Sequence, residues 1–180
     1  MIQELIKYDK NFNEASFKSY IDNIFVKLFT AVMLDELDTI KHFLSDNVYQ
    51  EYQSKINDLK AKKVTQIYDE LNVKTSNIES IEISDAEFKV SVNLTARYLD
   101  YLINSESGDF ISGNNQTREE KKYRLVFIKK RTFSQQGIVR KCPGCGASLS
   151  INTSGKCQYC DTIYNLDKYD YILESIININ

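Results

Sequence analysis

The chain has 180 residues and a mass of 20.9 kDa, which suits one ordinary domain or one domain with a small additional module. The 42% hydrophobic and 27% charged residues, the mean hydropathy of −0.40 and the net charge of −2 are typical of a globular protein and not of a disordered chain. No run approaches the ~18 apolar residues that cross a bilayer, which argues against an integral membrane protein. Its 6 Gly and 1 Pro begin only at Gly108, which excludes a collagen-like chain and argues against Gly-rich phosphate loops in the first half.

Three amphipathic helices are predicted in the first 63 residues. The first has Asn11 as its expected cap and Glu14 at the reciprocal capping-box position. A shorter helix follows over 37–44, and Ser45 is the expected cap of the third. The apolar stripe of the first helix consists of Phe17, Tyr20, Ile21, Ile24, Phe25, Leu28, Phe29 and Val32.

Beyond about residue 70 the hydrophobic period changes from helical to two. Residues 88–98 alternate between apolar and polar, as in an antiparallel strand with one wet face. The turn at 84–86 predicts a hairpin with a strand before it, and turns at 107–109 and 113–115 precede a return strand over 123–128. That last strand is apolar on both faces at its middle, as a central strand is. Helices followed by strands, without alternation, predict the α+β class.

Four cysteines form a C-x2-C-x11-C-x2-C pattern that is typical of a zinc ribbon. Two residues between thiolates allow a tight knuckle in which both sulfurs face one ion. Between the pairs, residues 147–151 alternate as a short strand and 152–155 supply the reversal. The predicted ligands are Cys142, Cys145, Cys157 and Cys160.

Other interpretations of the cysteines remain open at the level of sequence. Two disulfides suit a secreted protein, but the N-terminus has no basic start followed by an apolar core, as a secretory signal has. Iron in a rubredoxin-like site fits four thiolates as zinc does, although zinc is the preferred prediction. Because all four ligands are thiolates, one structural ion without an open coordination position is expected.

Signals for catalysis are few. His42 is the only histidine and lies in the second helical stretch, where a packed or surface residue is the plainer interpretation. Tyr98, Asp100 and Tyr101 could form an acid–base pair in a cavity, although packing aromatics at a strand end are the plainer interpretation here too. The familiar hydrolase, metalloprotease, P-loop and dinucleotide motifs do not occur in the sequence.

A strongly basic stretch leads into the cysteine module. Residues 118–141 contain nine basic residues and two acids, so the rest of the chain carries a net charge of −9. Such a patch attracts anionic lipid headgroups or nucleic-acid phosphates, whereas the alternative is a solvated strand end with a linker. The candidate residues for binding an anionic surface are Lys121, Lys122, Arg124, Lys129, Lys130, Arg131, Arg140 and Lys141.

The order of these parts resembles the family named for the mitochondrial inner-membrane translocase subunit forty-four. Residues 29–49 are similar to its helical region, and 98–113 with 123–127 are similar to its strand, Gly-bounded hairpin and return strand. Bacterial members also carry a ribbon like the segments 142–147 and 155–160. Two departures are Asp161, where Gly is common, and Tyr171, where Trp is usual.

The resemblance implies a cone-shaped α+β fold like that of nuclear transport factor two, with three helices packed on a curved antiparallel sheet. It implies an α+β domain over 1–135 plus 165–180, whose last strand follows a zinc ribbon at 138–164. Translocase members of the family bind proteins and anionic membrane surfaces and are not enzymes. The open mouth of such a cone can hold a small apolar ligand.

The leading hypothesis is therefore a non-enzymatic module with a structural zinc ribbon that binds a protein partner or an anionic membrane surface. The expected location is the reducing cytoplasm, at or near the inner face of the membrane. The alternative is a small-molecule binder or a lyase- or isomerase-type enzyme that uses the cone pocket, and an interior filled by Phe25 and Phe29 would end that hypothesis. Nucleic-acid binding through the ribbon and basic strand is third, and the acidic remainder of the chain disfavours it.

Overall fold

The computed structural model describes residues 1–131, 140–141, 147–149, 157, 159 and 171–179. Within these residues four helices precede a four-stranded antiparallel sheet, so the predicted α+β class is confirmed. The helices are α1 (Ile2–Tyr8), α2 (Glu14–Leu34), a 3-10 helix (Leu37–Phe43) and α3 (Asp46–Ala61). The strands are β1 (Val64–Ile83), β2 (Glu87–Asn104), β3 (Phe110–Lys130), β4 (Arg140–Lys141), β5 (Ser148–Leu149) and β6 (Ile172–Asn178).

The long helix α2 begins two residues later than the sequence predicts. Asn13, not Asn11, is the N-cap, and its side chain accepts a hydrogen bond from the Ser16 amide at 2.9 Å. The expected Asn11 cap is therefore wrong, and Glu14 becomes the first helical residue rather than a capping-box partner. The helix α1 is not predicted, because its seven residues are too few to show a clear helical period of apolar residues.

The predicted apolar stripe of α2 is the helical side of the core. All of its members are buried except Tyr20, which is half-buried and packs against the core. The helix ends at Leu34, and the C-cap residue Asp35 has a φ of 58°, which places the chain in a left-handed turn. None of the helices in the described ranges combines the length and the apolar character that crossing a bilayer requires.

The second and third helical segments lie where the sequence predicts them. The 3-10 helix buries Leu37 and Ile40 and takes the place of the short predicted α-helix. Ser45 caps α3, because its hydroxyl accepts a hydrogen bond from the Val48 amide at 3.3 Å. The Ser45 amide also donates to the carbonyl of Leu173 in β6 at 2.9 Å, so the cap ties α3 to the end of the sheet.

The sheet has the strand order β1-β2-β3-β6. The predicted hairpin at 84–86 joins β1 to β2 and places Ile83 opposite Phe88. The alternation predicted for 88–98 is confirmed, because Phe88 and every second residue up to Tyr98 are buried against the helices. The predicted strand over 123–128 is the second half of β3, which lies between β2 and β6 and is therefore central.

Residues 113–115 belong to β3 and do not reverse the chain, so the predicted turn is wrong as a chain reversal. The strand is nevertheless interrupted there, because its pairing with β2 passes from Asn114 directly to Glu119 and the Asn114 side chain accepts hydrogen bonds from the amides of Gln116 and Thr117. Gly113 lies within β3 opposite Tyr101, next to register shifts in the pairing of β2 with β3. Its φ of 101° and a Cβ position only 2.4 Å from the Asp100 carbonyl oxygen explain why glycine occurs there. The glycine that the sequence placed in a turn thus serves a close approach of two strands.

Candidate interaction surface and cysteine module

The alternation of β3 divides the predicted basic residues between the two faces of the sheet. Lys121 lies opposite Ala96, and Lys129 lies opposite Phe88, so both belong to the inner face that packs on the helices. The outer face carries Lys122, Arg124 and Lys130, which lie opposite Thr95, Asn93 and Glu87. The structure therefore does not bring these five residues together on one surface.

The two inner-face lysines each make an ion pair. The ammonium group of Lys121 lies 2.9 Å from Asp100 and 3.3 Å from Glu119. The ammonium group of Lys129 lies 2.9 Å from Asp9, whose side chain is only 7% exposed. Because both lysines are largely enclosed by protein, neither is part of an accessible basic face.

On the outer face, ion pairs reach across β2. The guanidinium of Arg124 on β3 contacts both carboxylate oxygens of Glu79 on β1, at 3.1 and 3.2 Å. Lys74 on β1 likewise contacts Glu120 on β3 at 2.6 Å. The two pairs join strands that are not neighbours, so Arg124 is both exposed and held in place. Because both pairs are exposed to solvent, they contribute little to stability.

The remaining basic candidates, Arg131, Arg140 and Lys141, follow β3 in the sequence. Arg131 donates a hydrogen bond to the Ser84 carbonyl at 2.7 Å and stacks over the Tyr8 ring at 5.0 Å, so it anchors the β1–β2 turn. Arg140 and Lys141 form β4, which pairs with Ser148 and Leu149 of β5. In the sequence, these two short strands lie on either side of the segment that carries the first pair of cysteines.

Of the four predicted metal ligands, Cys157 lies in the described part of the chain. It is fully buried, and its sulfur accepts a hydrogen bond from the Tyr159 amide at 3.4 Å. An amide that donates to a cysteine sulfur two residues before it is the contact expected of a knuckle around a metal-binding thiolate. Cys142, Cys145 and Cys160 lie outside the described residues.

The candidate acid–base cluster does not assemble as a catalytic pair. The Tyr98 hydroxyl bonds to the hydroxyl of Tyr123, whereas Asp100 accepts from Gln66 at 2.8 Å and from Lys121. Burial raises the pKa of Tyr98, and the hydrogen bond with Tyr123 raises it further, so the phenol stays protonated. The cluster is thus a satisfied polar network within the sheet.

Aromatic rings fill the space where the alternative hypothesis places a ligand. The ring centroids of Phe25 and Phe29 are 4.3 Å apart, and Phe29 lies 4.6 Å from Tyr68 and 5.7 Å from Tyr98. Both phenylalanines are almost completely buried. This packing counts against an interior pocket between α2 and the sheet.

The candidate catalytic residue His42 is also buried, with its ring 3.9 Å from the Phe43 ring, and it lines a surface groove beside α2.

Sequence reasoning missed several partners of the candidate residues. Asp9 pairs with Lys129, Glu79 pairs with Arg124, and Gln66 donates to Asp100, and none of these contacts has a local signal because the partners are distant in sequence. The alternation of side chains along β3 was a usable signal for which basic residues face the helices. Tyr123, Leu125 and Phe127 are buried, so the odd-numbered Lys121 and Lys129 belong to the same inner face.

Comparisons with known proteins bear on the family. No curated protein matches the chain. A solved structure described as "Crystal structure of intermembrane space region of chloroplast protein ARC6" is similar with a TM-score of 0.44 and 9% identity, covering 90% of this chain and 95% of that one. The sequence model of the Tim44-like domain matches residues 1–138. Since this match spans most of the 180 residues, the chain belongs to the Tim44-like domain family.

Proposed function

We propose that this chain is a non-enzymatic module that binds a protein partner or an anionic membrane surface. The observation that carries the proposal is the family match over residues 1–138, because Tim44-like domains act at proteins and membranes in translocase systems and have no catalytic role. The filled interior between Phe29 and the sheet supports the non-enzymatic part. A cone like that of nuclear transport factor two is the proposed form of the fold.

The outer face of β3 is the proposed contact surface. Lys122, Arg124 and Lys130 are exposed there and alternate along one strand. The partner of Arg124, Glu79, is also exposed, so exchanging this carboxylate for a lipid phosphate costs little stability. A basic side chain near an anionic membrane surface contributes about 1 kcal/mol of binding free energy. Three such residues give a weak, salt-sensitive interaction, which suits reversible attachment at the inner face of a membrane.

Co-sedimentation with vesicles tests this proposal. Vesicles of phosphatidylglycerol and phosphatidylcholine are expected to retain the protein at low ionic strength and to release it when salt is raised. Vesicles of phosphatidylcholine alone are the control and are expected to bind much less. Equal binding to both vesicle types would contradict the electrostatic surface, and a salt-resistant complex with a protein partner would favour the protein version.

We also propose that Cys142, Cys145, Cys157 and Cys160 hold one structural zinc ion. The support from the described residues is the buried Cys157, whose sulfur accepts a hydrogen bond from the Tyr159 amide. The pairing of β4 with β5 on either side of the first cysteine pair adds to it. When bound, the ion crosslinks the four thiolates, which replaces the core that so small a ribbon lacks.

Elemental mass analysis of the purified protein tests the metal proposal. One zinc per chain is expected in the wild type and little in Cys157→Ser. Tyr159→Phe is the matched control, because the contact to Cys157 uses the backbone amide and the Tyr159 side chain is exposed. Iron in place of zinc, or two disulfides without metal, would contradict the proposal.

A further inference from the structure

A polar groove lies where the N-terminal segment meets the last strand, on the helical side of the molecule. We call it the N-terminal groove; its volume is about 320 Å³, which is within the range of small-molecule sites. The α1–α2 connection and the first turns of α2 form one wall, and the ends of β3 and the segment before β6 form the other. It shares no residue with the outer face of β3 or with the cysteine module.

The floor of the N-terminal groove contains a buried ion pair. Oδ2 of Asp9 accepts hydrogen bonds from the Lys129 ammonium at 2.9 Å and from the Tyr171 hydroxyl at 3.3 Å. No described residue donates to Oδ1 of Asp9, although the Asp9 side chain is only 7% exposed. One carboxylate oxygen of a groove-lining residue is therefore left to accept a hydrogen bond from a ligand.

The rim of the N-terminal groove adds uncharged donors and acceptors. Asn11, Asn13 and Ser16 are exposed and line it. The Asn13 oxygen is occupied as the helix cap, which leaves its amide group to donate. The Asn11 amide and the Ser16 hydroxyl make no hydrogen bond within the described residues. The groove thus offers both donors and acceptors and has no net charge.

The ion pair selects against a charged ligand. A ligand anion that draws Lys129 away, or a cation that draws Asp9 away, leaves the other charge buried without its partner, and breaking a buried pair is strongly unfavourable. A neutral ligand keeps the pair and can still use the free Oδ1. Hydroxyl groups both donate and accept, so they match the mixed rim and floor.

The aromatic residues of the N-terminal groove complete the match. Phe12, Phe17 and Tyr171 form a buried cluster with ring centroids 4.9 to 6.0 Å apart. Tyr20 stacks on Phe17 and, unlike these three, is only half-buried, so its ring is the one in the groove that can pack against the C–H face of a saturated ring. From the buried carboxylate, the amide and hydroxyl rim and this aromatic cluster, we propose that the N-terminal groove binds a neutral, hydroxyl-rich ligand of the pyranose sugar class.

Saturation-transfer NMR on the full chain tests this inference with methyl β-glucopyranoside and N-acetylglucosamine as probes. Glucose 6-phosphate and glycine are the charged and zwitterionic comparisons. The neutral sugars are expected to show transfer with millimolar affinity, and the other two are not. The double variant Asn11→Ala/Ser16→Ala should weaken sugar binding about tenfold, because two hydrogen bonds of the rim are lost.

The control variant is Asn47→Ala/Ser54→Ala, which removes the same two side-chain types from exposed positions of α3. It should bind the sugars as the wild type does. Absence of transfer from both neutral sugars, equal weakening in the two double variants, or preferred binding of the charged probes would each overturn the proposal. Vesicle binding through the outer face does not depend on the result.

Discussion

The hydroxyl of Tyr98 in β2 hydrogen-bonds to the hydroxyl of Tyr123 in β3 inside the core of the protein. Tyr98 has no exposed surface, so its phenol has exchanged water for this single side-chain partner. Tyr123 has a second partner, because its hydroxyl also interacts with the side chain of Asn178 in β6. The pair therefore links three adjacent strands, and its two members are not equivalent.

This asymmetry predicts unequal costs for removing either hydroxyl. Tyr98→Phe should lower the free energy of unfolding by about 1 kcal/mol, because Tyr123 keeps Asn178. Tyr123→Phe should lower it by about 2 kcal/mol, because the Tyr98 hydroxyl is then buried without a partner. Urea unfolding of the two variants and of the double variant measures this. A larger loss in Tyr98→Phe would contradict the hydrogen-bond assignment.

A cluster of buried tyrosines predicts loss of stability in alkali. Burial raises the pKa of Tyr52, Tyr68, Tyr98 and Tyr123 above the ordinary value of 10.0. A tyrosine whose pKa is higher in the folded than in the unfolded protein contributes its full stabilisation of the fold at a pH below the unfolded pKa. This contribution to the free energy of unfolding falls as the pH rises above about 10, because the unfolded protein then loses protons that the folded protein keeps. Burial lowers the pKa of Lys55, which acts in the opposite direction below 10.5 but involves only one proton.

Tyrosinate absorbance during an alkaline titration measures this effect. Fewer than the 12 tyrosines of the chain should ionise while the protein remains folded, and the rest should ionise together on unfolding. The free energy of unfolding should fall between about pH 10 and pH 11. Ionisation of all tyrosines with the fold intact would show that the cluster is open to water.

Two glycines of β3 and its preceding turn provide a matched test of the register. Gly113→Ala places a Cβ 2.4 Å from the Asp100 carbonyl oxygen and 2.6 Å from the Tyr101 Cα, at a φ of 101°. Gly108 also has a positive φ, 78°, but open space around it. We expect Gly108→Ala to cost about 1 kcal/mol and Gly113→Ala at least about 3 kcal/mol, measured by thermal or urea unfolding. Equal costs would contradict the strand pairing at Gly113.

The buried pair of Asp9 and Lys129 predicts a non-additive pattern. Asp9→Asn should destabilise the protein by about 3 kcal/mol, because the Lys129 ammonium then lacks its counter-charge in a largely enclosed position. Lys129→Met should have a similar effect for the opposite reason. The double variant Asp9→Asn/Lys129→Met should recover part of the loss in a double-mutant cycle. Strictly additive losses would show that the two side chains do not interact.

Local patterns explain what the sequence predicted correctly. The burial of residues 88–98 follows from a period of two, and the cap at Ser45 follows from a side chain that bonds an amide three residues later. The Asn11 cap failed because Asn13 offers the same chemistry two residues on, and the two are indistinguishable by residue type. Such ambiguities are resolved by packing, which places Phe17 and Ile21 against the sheet.

Long-range pairing explains what the sequence could not predict. Asp9 and Lys129 are 120 positions apart in the sequence, so no local signal indicates that their side chains meet. The basic stretch looked like one patch because a linear count of charge ignores that neighbours on a strand point to opposite faces. Alternation alone separates Lys121 and Lys129 from Lys122, Arg124 and Lys130. The acidic partners, Asp9 directly after α1 and Glu79 on β1, follow only from the fold.

Charge reversal on the outer face of β3 tests the central claim most directly, with binding to phosphatidylglycerol vesicles as the readout. The triple variant Lys122→Glu/Arg124→Glu/Lys130→Glu should abolish the preference for anionic vesicles. The control Lys7→Glu/Lys10→Glu/Lys62→Glu makes the same change in net charge at exposed positions on the helical side, and it should retain most of that preference. Wild-type binding by the outer-face variant, or equal loss in both variants, would contradict this face as the contact surface.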